Sequence, residues 1–72
     1  MQKPRVLVVD DEEWVRLALS KLLEGDGYAV ERAPGGLEAT EKIRHGLYDM
    51  VVVDLRLQDM DGIEVLRAAK AH

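Results

Sequence analysis

Two short, wholly apolar runs constrain this chain more than anything else in it. Val6-Leu7-Val8-Val9 closes on the pair Asp10-Asp11, and Met50-Val51-Val52-Val53 closes on Asp54. A continuous apolar run of four or five residues, bounded by Pro4 or by acids, suits a strand buried on both faces, and such strands belong to parallel sheets. If the two strands are parallel neighbours, their C-terminal ends lie side by side, and three carboxylates collect at the edge where open α/β sheets place their ligands.

Between the runs the periodicity changes. Val15, Ala18, Leu19, Leu22 and Leu23 recur at three- and four-residue steps, with Arg16, Ser20, Lys21 and Glu24 opposite, so an amphipathic helix is expected over about 12–24. Asp11 is its candidate N-cap and Gly25 its candidate left-handed stop. Tyr28 to Arg32 reads as a shorter, more polar edge strand, which Ala33-Pro34-Gly35-Gly36 breaks. A second helix is expected over about 36–45, with Leu37, Thr40 and Ile43 inward and Gly46 as its stop. The third strand covers about 50–54. A last helix covers about 62–71, with Ile63, Leu66 and Ala69 or Lys70 on one face. The first strand covers about 5–9. Three βα units in succession predict an α/β domain with a parallel sheet of order 2-1-3 and right-handed crossovers. The first helix then lies on one face and the other two on the opposite face.

The 72 residues form one domain at most, with no Cys to supply a disulfide or zinc site. The net charge of −4, with ten basic residues scattered singly, argues against direct nucleic-acid binding. No apolar stretch is long enough to span a bilayer, and Met1-Gln2-Lys3-Pro4 lacks the apolar segment of a secretory signal, so a cytoplasmic location is expected.

Clustered carboxylates repel one another until a cation arrives. Magnesium fits such a set, because it is a hard ion that takes oxygen ligands and is commonly held by one or two carboxylates together with a phosphate. The plain alternative is that Asp10 and Asp11 cap the first helix and Asp54 begins a turn.

Val8-Val9-Asp10-Asp11-Glu12, Tyr48-Asp49-Met50-Val51-Val52-Val53-Asp54 and Met60-Asp61-Gly62, with Ala33 to Ala39 between them, together resemble the receiver domain of two-component response regulators. The resemblance runs in register over essentially the whole chain and implies a flavodoxin-like fold of strand order 2-1-3-4-5, here its N-terminal three βα units. It implies that Asp54 is the phosphoacceptor and that Asp10, Asp11, Asp54 and the backbone carbonyl of Arg56 hold Mg2+. The donor would be a sensor histidine kinase or phosphotransfer protein. The resemblance also attaches a Ser or Thr on a fourth strand and a Lys on a fifth to the phosphoryl group, and this chain stops before either. Gln58 stands where the family usually has a Pro.

From this truncation a homodimer is expected, with a second copy covering the third strand's bare edge. The runner-up function is a non-catalytic half-domain that self-associates, as an assembly module or an engineered fragment. A phosphohydrolase is disfavoured, because Leu55-Arg56 follows Asp54 where a haloacid dehalogenase signature needs a second Asp two residues on. Trp14 is expected to pack partly near the acids, and His45 and His72 to be exposed helix-end residues. Arg44, Arg67 and Lys70 read as solvated charges, and Gly35-Gly36 as a turn.

Overall fold

A computed structural model describes residues 2–71. Met1 and His72, and the expectations that fall on them, lie outside the described residues. The order is β1 (Arg5–Val9), α1 (Glu13–Gly25), β2 (Ala29–Ala33), α2 (Gly36–His45), β3 (Met50–Val53) and α3 (Gly62–Ala71). The sheet is parallel, with the order β2-β1-β3.

The central strand follows from its sequence. Val6, Leu7, Val8 and Val9 are all buried, each contributing on the order of 1.5–3 kcal/mol by leaving water. Successive strand residues face opposite ways. Leu7 and Val9 therefore join Ala33, Ala39, Ile43 and Val65 in a core beneath α2 and α3, while Val6 and Val8 face the layer of α1. The helices thus divide across the sheet as the βα order requires.

Element ends differ from expectation by a residue at several points. β2 runs one residue later, because Ala33 pairs with Val9 and is fully buried. β3 ends at Val53, so Asp54 lies just past the strand. Glu12, not Asp11, is the N-cap of α1, and it makes no side-chain cap bond. The left-handed residue after α1 is Gly27, at φ 96°, and Gly25 remains helical.

The inner faces of the helices depart further. On α2 the buried line is Gly36, Ala39 and Ile43, and Leu37 is 65% exposed. On α3 it is Gly62 and Val65, with Ala69 packed against the core, while Ile63 and Leu66 are exposed. Ile43 and Ala69 face inward as expected, while the first two turns of each stripe shift by one residue, because a glycine at each helix start allows a closer approach than a side chain would. On α1 Ser20, expected outside, is buried, and its hydroxyl donates to the Arg16 carbonyl at 2.6 Å. That i−4 bond satisfies the hydroxyl where the helix meets the sheet, and Leu22 is left outside. No helix among the described residues is long and apolar enough to cross a membrane.

Candidate metal and phosphoryl site

Strand register builds the site. Val9 pairs with Val53, so the residues that follow them, Asp10 and Asp54, leave the sheet as neighbours. The Asp10 N–H donates to Ala33 O at 3.3 Å and the Asp54 N–H to Val9 O at 3.1 Å, which carries the ladder to the sheet's C-terminal edge. Asp11 follows at the turn into α1. One carboxylate oxygen from each of Asp10, Asp11 and Asp54 lies within 4.8 Å of the others. Asp10 and Asp11 are half-buried and Asp54 is exposed.

Short local bonds orient these groups. The Glu12 N–H donates to Asp10 Oδ1 at 2.9 Å, and the Arg56 N–H donates to Asp54 Oδ1 at 3.0 Å. Arg16 reaches the same edge, but its guanidinium donates to the Asp10 carbonyl at 2.7 Å and not to a carboxylate. Among the described residues no salt bridge involves Asp10, Asp11 or Asp54. Three anionic oxygen donors without a cationic partner form a hard donor set that suits Mg2+ and would suit softer metals poorly.

The loop after Asp54 is folded tightly. Arg56 and Asp61 form an antiparallel bridge, and the Gly62 N–H donates to Leu55 O at 3.0 Å. A Cβ on Gly62 would press on the Asp54 carbonyl and lie 2.8 Å from Leu55 Cα, so only glycine allows this closure.

The other residues singled out in the sequence stand apart from the carboxylates. Trp14 is 70% exposed and not packed; its indole N–H donates to Glu12 Oε2 at 2.7 Å, a bond that holds the ring outward. His45 is exposed and pairs with Glu41 at 3.0 Å, and Arg44 pairs with the same Glu41 at 3.7 Å. Sequence reasoning missed Asp59, which accepts the N–H groups of Gly36 at 2.8 Å and Leu37 at 2.9 Å. Those bonds hold its carboxyl below the usual carboxylate range. Local sequence rules could not have found it, since the contact spans more than twenty residues.

The family model for the response regulator receiver domain matches residues 6–72. The chain belongs to that family. It is 46% identical over 65 residues to Transcriptional regulatory protein ZraR of Klebsiella oxytoca, covering 90% of this chain and 15% of that protein. The receiver protein of Sinorhizobium medicae WSM419 superposes with a TM-score of 0.92 at 32% identity, over 97% of this chain and 58% of that one. The Saccharomyces cerevisiae receiver domain of Ssk1, solved with the histidine phosphotransfer protein Ypd1, gives a TM-score of 0.86 at 26% identity, over 96% of this chain and 48% of that one. This receiver chain therefore spans only a part of each of these relatives, and its sheet order matches the flavodoxin-like fold that the sequence implied.

Proposed function

We propose that this chain carries the phosphoacceptor site of a two-component receiver, with Asp54 as the residue that takes the phosphoryl group. The observation that supports this reading is the convergence of the Asp10, Asp11 and Asp54 carboxylates on the C-terminal edge of a parallel sheet. The donor is a phosphohistidine on a sensor histidine kinase or phosphotransfer protein, a partner class represented by Ypd1 beside the Ssk1 receiver. An Asp54 carboxylate oxygen forms the new bond to phosphorus as the phosphorus–nitrogen bond breaks and the imidazole leaves. The Arg56 N–H occupies Oδ1 and so turns Asp54 for this attack, while the Glu12 N–H fixes Asp10.

Asp10, Asp11, Asp54 and the Arg56 backbone carbonyl are the residues that would hold Mg2+, which supplies neutralisation of the charge gathered between phosphoryl group and carboxylates. The chain acts as a signalling module, with no turnover of phosphate esters, and a cytoplasmic location fits this role. Intact mass after incubation with acetyl phosphate tests the proposal. A single phosphoryl gain that requires Mg2+ supports it, and an unmodified chain overturns it.

A second reading, self-association of a half-domain, is favoured by β3. That strand pairs with β1 on one side only, and Met50, Ile63 and Leu66 are each between 41% and 47% exposed on it and on the helix packed over it. Apolar edges of this kind pair readily with a second copy. Light scattering at rising concentration separates the two states: a dimer mass supports self-association and a monomer at all concentrations rules it out.

A further inference from the structure

The acidic site stands on a loop whose tip is held from outside its own sequence. Residues 54–61 carry Asp54 and Arg56 at one end, and at position 58 they have Gln where a Pro would have fixed the backbone. The base of the loop is held by the Arg56–Asp61 bridge and by the Ile63 N–H donating to Asp61 Oδ1 at 3.0 Å. The tip is held from outside. Asp59 spreads its two carboxylate oxygens over the N–H groups of Gly36 and Leu37, the first residues of α2.

Helix α2 lacks any cap from its N-cap residue, since Gly35 has no side chain to bond the first turn. The N–H groups of that turn have no partner within the helix, carry partial positive charge and favour an anion. The glycine pair is shaped to receive the loop. A Cβ on Gly35 would lie 3.0 Å from Asp59 Oδ2, and one on Gly36 would run into Met60 Cγ and lie 2.6 Å from its sulfur. A stretch that reads as a simple turn in the sequence thus also seats the phosphoacceptor loop.

We propose that Asp59 is a positioning residue for the acidic site: anchored on α2, it fixes the loop and thereby the Arg56 backbone that holds the Asp54 carboxylate. The inference rests on the reading of Asp54 as acceptor and Arg56 as ligand. The connection is short, because Arg56 N–H bonds Asp54 Oδ1 three residues upstream of the anchor. A loop freed at Asp59 loses the fixed direction of both the Arg56 N–H and its carbonyl.

The test compares the wild-type chain with Asp59→Ala, Asp59→Asn and the core variant Ile43→Val, which loosens the fold away from the loop. Mg2+ alone is titrated by calorimetry, and exchange of the Arg56 amide is followed by NMR in the metal-free protein. Asp59→Ala is expected to weaken Mg2+ binding about tenfold, the size typical of lost outer-shell support, and to speed Arg56 exchange. Asp59→Asn, with one acceptor oxygen left, falls between, and adding Gln58→Pro to Asp59→Ala restores part of the affinity. Ile43→Val lowers stability with Mg2+ affinity unchanged. Asp59→Ala that only lowers stability, with affinity and Arg56 exchange as in wild type, overturns the proposal and leaves Asp59 as a helix cap. If the wild-type chain binds no Mg2+, the reading of the acidic site fails. The Arg56 amide then decides the positioning role: faster exchange in Asp59→Ala sustains it and unchanged exchange overturns it.

Discussion

Charge is balanced in one part of this molecule and left unbalanced in another. Where β1 begins, Arg5 bonds Glu31 of β2, Lys42 of α2 approaches Glu31 at 3.7 Å, and the Arg5 guanidinium lies 4.8 Å from the centre of the Tyr48 ring. The Arg5 N–H also donates to Asp49 at 2.7 Å. Glu31 there has two cations, and Asp49 is met by a backbone N–H. Where β1 ends, three carboxylates face one another, and Arg16, which reaches that edge, is turned to a carbonyl. The first arrangement lowers the energy of the fold by itself. The second does so only when something positive is added, as the proposed Mg2+ would be.

The largest break in this contrast comes from Asp54→Asn. It is expected to abolish phosphorylation by acetyl phosphate entirely, read by intact mass, while circular dichroism shows the fold unchanged. Added Mg2+ is expected to stabilise the wild-type chain by about 2.7 kcal/mol at a hundredfold excess over its Kd, measured by urea unfolding. Asp11→Ala removes most of that gain, and Glu31→Gln none of it. Gly62→Ala is expected to cost about 2 kcal/mol by overpacking against the Asp54 carbonyl, again by urea unfolding, and to weaken Mg2+ binding with it.

The balanced end yields the smallest effect. Glu31→Gln is expected to cost about 0.5 kcal/mol, since the pair is 41–42% exposed and solvent screens it. Its pH dependence has a definite sign. The hydrogen bond from Arg5 is the main cause that lowers the Glu31 pKa from 4.5, so its contribution is present above that value and is lost as pH falls below it. Burial, aided by the Glu31 charge, raises the Tyr48 pKa above 10.0, so that contribution is full below pH 10 and is lost as pH rises beyond it. Unfolding midpoints measured on both sides of these values check the two signs, and Glu31→Gln should flatten the acid limb.

What the sequence disclosed and what it hid divide along physical lines. The apolar run 6–9 announced a buried parallel strand, and the run 50–53 a parallel strand that is only half-buried because β3 lies at the sheet's edge. The acids that close both runs pointed to the edge where the carboxylates gather. The helix stripes misled because large side chains were weighed above small ones. Gly36 and Gly62 start the buried lines that leave Leu37, Ile63 and Leu66 outside. Ser20 was hidden for a similar reason, its hydroxyl being satisfied within its own helix. Asp59 was out of reach because its partners, Gly36 and Leu37, are joined to it by the fold and not by the chain.

Trp14 has a consequence of a different kind. It is the single tryptophan of the chain, so all tryptophan emission comes from one indole. That indole donates to Glu12, and the amide of Glu12 donates to Asp10. Two hydrogen bonds therefore tie a solvent-facing fluorophore to the acidic edge, so titration of the proposed site with Mg2+ is expected to change the colour and intensity of the indole's emission.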